Sequence, residues 1–160
     1  MTKQYLLERD ALNGKEGIAF ATIDGEVHQI FQFINFNLKA TFDKVPFKVV
    51  GTRKKQTKIT GVEFSGSFNI YMGSPLWSEI VSKYSKQGIS TYFEMQITID
   101  DPNSSVGKFT VVIRNVQITD ADIIKLDANS EFLDQAVSFT ALDFDILENF
   151  HSPKEIGVNA

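Results

Sequence analysis

Apolar and polar residues alternate along most of this chain, and the alternation limits the folds that are open to it. Between residues 34 and 43 every second residue is apolar, and the apolar set is Ile34, Phe36, Leu38, Ala40 and Phe42. The same alternation returns within residues 62–70, 93–99, 109–118 and 137–146. A period of two places successive side chains on opposite faces of a strand. The sequence therefore predicts antiparallel strands with one buried face and one face in water.

Glycine and shifts of phase interrupt the alternation at a few positions. Gly66 stands in an apolar row, which predicts a bulge or a close approach of another backbone. The apolar phase slips near Asn115 and again at Leu142, and a bulge or bend would explain each slip. A shorter strand ends at the dipeptide Asp24-Gly25, which predicts a tight hairpin turn.

One segment changes to a helical period. Its apolar positions are Leu76, Trp77, Ile80, Val81 and Tyr84. These positions predict a helix over residues 74–87, with Ser74 as N-cap, Pro75 in the first turn and Gly88 as the stop. We expect its apolar stripe, including Tyr84, to pack on the sheet. The predicted fold is mainly β, an antiparallel β-barrel or sandwich with one α-helix and a long extended hairpin.

The hairpin and the two ends of the chain stand apart from the predicted body. Residues 43–61 hold few large apolar residues and many cations between two long strands, which predicts a hairpin extended beyond the body. The single main domain is expected to span residues 13–148. We expect the N-terminal arm, 1–12, and the C-terminal tail, 149–160, to be mobile in the isolated chain.

Charge is distributed unevenly along a chain whose net charge is −4. Residues 39–58 carry seven basic residues and one acidic residue, whereas residues 117–150 carry eight acidic residues and one basic residue. Docking of the basic hairpin on the acidic surface of an identical molecule would be a heterologous contact, which generates rings or filaments. Two other interpretations of residues 53–58 stay open, a solvated loop and a phosphate-binding surface. The interleaved aromatic residues that usually accompany single-stranded nucleic-acid binding are absent from this stretch.

Catalytic and metal-binding patterns are hard to find. The chain has no Cys, which excludes thiolate metal sites and Cys nucleophiles. His28 and His151 are the only histidines, one at the entry to a strand and one in the polar tail. The two Asp-x-Asp pairs, at 120–122 and 143–145, do not continue as calcium loops. We therefore expect no catalytic residue, no metal, no cofactor and no enzymatic activity.

Targeting signals are also missing from the sequence. The only apolar stretch near the N-terminus is three residues long, and no apolar run approaches the ~20 residues that span a bilayer. We expect a protein that stays in a cytoplasm until it is assembled or released, without membrane binding as a monomer.

Several short stretches, taken in order, resemble one known family. They are Asn13-Gly14-Lys15-Glu16-Gly17, the segment from Tyr92-Phe93 through Asp100-Asp101 to Ser104-Ser105 and Gly107, Ile124-Lys125-Leu126-Asp127, and Phe139 to Asp143-Phe144-Asp145. With this order and spacing, residues 13–148 resemble the tail tube (core) proteins of PBSX-like prophages, contractile-tailed phages and phage-tail-like bacteriocins.

The resemblance implies a structural subunit that self-assembles into hexameric rings. The rings would stack as the inner tube of a contractile tail and form its channel or needle. The implied partners are further copies of the chain, the tail sheath protein, and the baseplate and tail-terminator proteins, with DNA only in transit if the particle is a phage. The implied location is the bacterial host cytoplasm during assembly and then the virion or phage-tail-like particle. The alternative is a monomeric small-ligand-binding β-barrel, which a Phe-rich interior could support.

Two sets of residues are candidates for roles in a tube. The extended hairpin is expected to contact neighbouring subunits or stacked rings through Lys48, Arg53, Lys54, Lys55 and Lys58. A wall along which DNA slides should be neutral or acidic, because cations that neutralise phosphates bind nucleic acid tightly. Polar residues that meet this condition, and are candidates to face the lumen, are Asn35, Asn37, Glu63, Ser65, Ser67 and Asn69. Lys39 is the exception in the same rows.

Overall fold

The computed structural model describes residues 2–30 and 33–159 of the 160-residue chain. The strands are β1 (Lys3–Tyr5), β2 (Gly17–Ile23), β3 (Glu26–Ile30), β4 (Phe33–Phe47), β5 (Gln56–Tyr71), β6 (Phe93–Asp100), β7 (Lys108–Ala121), β8 (Asp134–Ala141), β9 (Asp143–Glu148) and β10 (Gly157–Asn159). One α-helix, α1 (Leu76–Gln87), and a short 3-10 helix, Glu8–Asp10, complete the secondary structure of the described residues. The prediction of a mainly β fold with one helix is confirmed.

The chain divides into two compact units, and strand β7 runs from one into the other. Unit 1 comprises Met1–Phe31, Phe93–Arg114 and Phe144–Ala160, and unit 2 comprises Gln32–Tyr92 and Asn115–Asp143. In unit 1 the strand order is β3-β2-β6-β7, and β1 pairs separately with β10. In unit 2 the order is β7-β8-β5-β4. Strand β2 is antiparallel to β3 and β6, and β8 is antiparallel to β7 and β5.

Aromatic side chains form the centre of unit 2. Phe68 and Trp77 are buried, and their rings meet edge to face with centroids 5.0 Å apart. Phe139 from β8 is also buried and stacks on Phe36 from β4, with centroids 5.7 Å apart. Three of these residues belong to the apolar rows of the alternating segments, so the predicted buried face of these strands is confirmed.

Gly66 allows strands β4 and β5 to approach closely beneath this aromatic cluster. A Cβ atom at this position would lie 2.2 Å from the carbonyl oxygen of Asn37 and 2.7 Å from Cζ of Phe139. The strand register is regular here, with Gly66 opposite Leu38, so of the two predicted explanations the close approach is correct.

Gly66→Ala is expected to lower the free energy of unfolding by about 1–3 kcal/mol, because the backbone oxygen of Asn37 cannot yield without moving the strand. Urea unfolding followed by circular dichroism measures the loss. Gly14→Ala is the matched control, since nothing lies within 4 Å of the Cβ it adds. Equal stabilities of the two variants would contradict this account of Gly66.

Helix α1 follows the prediction at its C-terminal end and differs at two other positions. Gly88 adopts φ 70°, and its N–H donates to the carbonyl of Tyr84 at 2.8 Å, as expected of a helix stop. The helix begins at Leu76, with Pro75 rather than Ser74 in the cap position. The expectation that Tyr84 packs in the core is wrong, because its side chain is 60% exposed and borders an open groove beside the end of β7.

The predicted turn and the predicted shifts of phase are present in the backbone. Asp24 and Gly25 adopt φ angles of 52° and 81°, and they join β2 to β3 as a tight hairpin. Asn115, at the first slip of phase, adopts φ 50° inside β7. At the second slip, Leu142 separates β8 from β9.

The extended hairpin is formed by β4 and β5, which continue through most of the segment expected to project. Strand β4 runs to Phe47 and β5 begins at Gln56, so the connecting loop is residues 48–55. A register shift between Asp43 and Lys44 marks a bulge in the middle of the hairpin. The sequence predicts few large apolar residues in segment 43–61. The structure exposes a group of them there, each to about half or more: Val45, Phe47, Val49, Val50 and Ile59.

The two ends of the chain are tied together in unit 1, and the expectation that both are mobile is wrong. Lys3 pairs with Asn159 and Tyr5 with Gly157 in the two-stranded sheet of β1 and β10. Arg9 forms an ion pair with Glu155. Backbone hydrogen bonds hold these short segments, and such bonds leave no trace in side-chain composition.

Asp10 anchors the N-terminal arm to the loop before β7. Its side chain is buried, and its Oδ1 accepts hydrogen bonds from the backbone N–H of Ser105 at 2.9 Å and from the Ser105 hydroxyl at 2.7 Å. These two hydrogen bonds favour the ionised carboxylate and lower the pKa of Asp10 below its usual value.

A lowered pKa in the folded state makes the contribution of Asp10 to stability depend on pH. The contribution is present at pH values above the pKa of the unfolded chain and is lost as the pH falls through the lower pKa of the folded state. We therefore expect the stability difference between the parent protein and Asp10→Asn to shrink as the pH is lowered from 7 towards 2. Urea unfolding across this range measures it, and a difference that is independent of pH would contradict the assignment.

Candidate functional site

Strands β4 and β5 bring the six candidate lumen residues onto one face of unit 2. Asn35 lies opposite Asn69, Asn37 lies opposite Ser67, and the remaining pairs are Lys39 with Ser65 and Thr41 with Glu63. Each strand contributes every second residue, and the register keeps the two polar rows together. The structure thus assembles a polar surface of the kind that the alternation predicts.

Asparagine side chains on this face are bonded to the neighbouring strand. Oδ1 of Asn37 accepts a hydrogen bond from the backbone N–H of Ser67 at 3.0 Å and lies 3.4 Å from the Ser67 hydroxyl. Oδ1 of Asn35 accepts a hydrogen bond from the backbone N–H of Asn69 at 3.2 Å. These contacts hold the amide groups in place, so the surface presents fixed, uncharged polar groups.

Strands β8 and β7 extend the polar face with residues that were not among the candidates. Ser138 lies opposite Ser67 on β5, and Thr140 lies opposite Ser65. Gln117 on β7 lies opposite Thr140. The alternation within residues 137–141 already marks Ser138 and Thr140 as polar positions, but only the strand order shows that they adjoin β5.

The candidate cations lie at the far end of the same two strands. Lys48, Arg53, Lys54 and Lys55 occupy the loop between β4 and β5, and Lys58 lies near the start of β5. All five residues are exposed. Within residues 2–30 and 33–159, no carboxylate forms an ion pair with any of them. A cluster of unneutralised cations is a favourable surface for an acidic partner.

The acidic segment contributes residues to both units. Asp145 lies in unit 1, where it accepts a hydrogen bond from Arg114 at 2.7 Å. In unit 2, Asp134 forms an ion pair with Lys125 at 2.7 Å. This contact lowers the pKa of Asp134 and raises the pKa of Lys125. An acidic docking surface within residues 117–150 stays a prediction, and most carboxylates of the segment lie in unit 2.

No group of three or more His, Asp or Glu side chains is close enough to hold a metal ion among the residues that the structure describes. His28 lies 3.8 Å from Glu26, and His151 is exposed, with its ring beside Gly107. No helix in the described part of the chain has the length and apolar character needed to cross a membrane.

Comparisons with known proteins identify the family. A sequence model of phage tail tube proteins matches residues 4–148. The phage-like element PBSX protein XkdM of Bacillus subtilis (strain 168) is 31% identical over 143 residues, which are 89% of this chain and 95% of that protein.

Solved structures share the fold at lower sequence identity. A chain in the cryo-EM structure of the anti-feeding prophage baseplate is 14% identical, with a TM-score of 0.67 over 86% of this chain and 95% of that one. A chain in the PVC sheath–tube complex of an extracellular contractile injection system is 11% identical, with a TM-score of 0.64 over 85% of this chain and 90% of that one. With most of its length matched by the family's sequence model and by a relative from PBSX, the chain belongs to the phage tail tube protein family.

Proposed function

We propose that this protein is the subunit of a hollow tube, built from hexameric rings that stack inside the sheath of a contractile phage tail or phage-tail-like particle. Membership of the tail tube family supports a structural, non-enzymatic role. The observation that carries the proposal within the molecule is the hairpin of β4 and β5, whose strands are 15 and 16 residues long and largely exposed at their far end. A lone domain gains little from such an extension, whereas an assembling subunit needs one to reach its neighbour.

The polar face of β4, β5 and β8 is assigned to the lumen. It carries one cation, Lys39, and three anions, Asp43, Glu63 and Asp134, among otherwise uncharged residues of the paired strands. A wall of this kind attracts phosphates only weakly, because few cations are present to release counterions from DNA. This property suits a channel through which DNA passes in transit, and it is equally compatible with a needle that carries no DNA.

The loop of residues 48–55 is assigned to contacts between stacked rings or neighbouring subunits. Lys48, Arg53, Lys54 and Lys55 lie in it, Lys58 lies beside it, and an acidic surface of the next copy would neutralise them. Such a contact joins two different surfaces of identical chains and therefore propagates.

The proposed partners follow from the family and from the particles in which the fold occurs. They are further copies of this chain, a tail sheath protein, and the baseplate and tail-terminator proteins at the two ends of the tube. The particle assembles in the cytoplasm of a bacterial host, and the subunit then resides in the tail of the virion or phage-like particle.

Negative-stain electron microscopy across a concentration series tests the proposal. Rings with sixfold symmetry, or tubes with a central channel, are the expected result, and sedimentation velocity should show species that grow with concentration. A uniform monomer up to millimolar concentration, with no rings after a tail-assembly partner is added, would contradict it. That outcome would favour the alternative of a monomeric ligand-binding barrel.

A further inference from the structure

The far end of the β4–β5 hairpin exposes a group of large apolar side chains. This head patch consists of Phe42, Val45, Phe47, Val49, Val50, Ile59 and Val62, each about half-exposed or more. Phe42 and Val62 are cross-strand partners in the row that continues from the buried cluster, whereas Val45 and Phe47 lie on the opposite face of the ribbon. The hairpin is therefore apolar on both faces at its end, and its own unit covers neither face there.

A second exposed apolar group lies in the segment between β7 and β8. This tail patch consists of Ile123, Ile124, Leu126 and Phe132, and Leu126 is 84% exposed. Exposed apolar residues collected in one short segment are typical of an interaction surface.

The segment that carries the tail patch is fixed to its own unit at both ends. The backbone N–H of Asp122 donates to the carbonyl of Ala136, and that of Met72 donates to the carbonyl of Leu133, each at 2.9 Å. Phe132 packs edge to face on Tyr71, with ring centroids 6.1 Å apart. The tail patch is therefore presented in a defined conformation, which lowers the entropy cost of binding.

The two patches lie at opposite ends of strand β5. Ile59 belongs to the head patch, and Tyr71, at the other end of the strand, is paired with Asp134 at the end of the tail-patch segment. From Ile59 to Tyr71 the strand covers about 40 Å at the usual rise per residue. A patch at one end therefore cannot cover the patch at the other end of the same chain, but it can meet that patch on another copy.

The charges around the two patches are opposite in sign. Residues 42–62 contain six cations and one carboxylate, whereas residues 122–134 contain four carboxylates and one lysine. Stable protein interfaces have an apolar centre and a polar rim, and charges in the rim set orientation and association rate. A contact between the head patch and the tail patch would have this composition, an apolar centre surrounded by charges of opposite sign on its two sides.

We propose that the head patch of one copy docks on the tail patch of the next copy. The apolar side chains form the centre of the contact, and the hairpin cations and loop carboxylates form its rim. This inference rests on the proposed tube function and specifies the surface that receives the hairpin. Because head and tail differ, the contact is heterologous and adds copies in one direction.

Site-specific cross-linking tests the contact directly, because the chain has no cysteine of its own. Phe47→Cys and Leu126→Cys are prepared as separate proteins, one with a tag that changes its size, and are mixed with a thiol-specific bifunctional reagent. The expected product is the heterodimer of the two variants, together with a ladder of oligomers from the double variant. Homodimers of Phe47→Cys alone would indicate a symmetric contact between hairpins and would overturn the proposal.

Truncation of the tail patch provides the second measurement. Ile124→Ser and Leu126→Ser should each weaken growth of the assembly by on the order of tenfold, because each removes a large apolar side chain from the centre of the contact. Val27→Ser, which removes an exposed apolar side chain from the turn end of β3 in unit 1, is the matched control.

Failure of the proposed contact and failure of the tube function give different results. Tubes that form normally while Phe47→Cys and Leu126→Cys yield no heterodimer would refute the contact and leave the tube function standing. If the parent protein forms no rings or tubes with its assembly partners, the tube function fails, and the contact fails with it.

Discussion

Trp77→Ala is expected to lower the free energy of unfolding by about 3–5 kcal/mol, since it empties the volume of a large buried aromatic side chain. The side chain of Trp77 is fully buried in unit 2 and meets the ring of Phe68 edge to face at 5.0 Å. Phe68 in turn packs against Phe139, so the cavity would open beneath two strands. Thermal unfolding and urea titration both measure the loss.

Tyr84→Ala is the matched control on the same helix. The Tyr84 side chain is 60% exposed, so its truncation should change stability by no more than about 0.5 kcal/mol. A Trp77→Ala protein with an unchanged melting curve and defective assembly would instead place this residue at an interface between subunits.

Simultaneous reversal of Arg53, Lys54 and Lys55 to Glu should abolish or strongly reduce tube growth while leaving the fold intact. The three side chains are exposed and form no ion pair within the described chain, so each contributes only about 0–1 kcal/mol to folding. Their reversal would place carboxylates against the acidic surface of the next copy, and like charges in a contact are strongly unfavourable. Circular dichroism should be unchanged, and electron microscopy should show few or no tubes.

A second triple variant separates local from global effects of charge. Reversal of Lys3, Lys15 and Lys108 to Glu changes the net charge by the same amount at exposed positions of unit 1. We expect this control to retain tube growth. Equal growth of both triple variants would remove the hairpin cations from the mechanism.

High salt should weaken growth of the parent protein, because screening at physiological ionic strength and above limits charge interactions to about 8 Å or less.

Much of the fold was predictable because alternation and turn chemistry are local signals. The dipeptide Asp24-Gly25 marked the β2–β3 hairpin, and the slip of phase at Asn115 corresponds to a residue with φ 50°. The pairing of β1 with β10 was not predictable, because it joins short segments more than 150 residues apart through backbone hydrogen bonds. Helical spacing predicts that Tyr84 lies on the apolar side of α1, but it does not show where the surface beneath the helix ends, so the exposure of Tyr84 was not predictable.

The sequence predicts which residues of β4 and β5 form the polar rows of the candidate site. It does not predict which other strands extend this polar face. Alternation was sufficient to select Asn37 and Ser67 as polar positions of their strands, and the register places them opposite each other. The addition of Ser138 depends on β5 lying beside β8, and these strands are separated along the chain by the helix and two further strands. The exposed apolar patch at the hairpin end was not predictable, because Phe47 and Val50 stand among cations in the sequence, and that composition is typical of a solvated charged loop.

The pairing of Lys3 with Asn159 has a consequence for engineering this subunit. Lys3 in β1 and Asn159 in β10 are cross-strand partners within unit 1, so a short linker from Asn159 back to Lys3 would join the two strands without crossing the molecule. Circular permutation is therefore geometrically feasible. The linker would join the two paired strands, and a cut in a surface loop would create the new ends of the chain. In the present order of strands, peptides attached ahead of Lys3 and after Asn159 would be displayed at one shared position on each subunit.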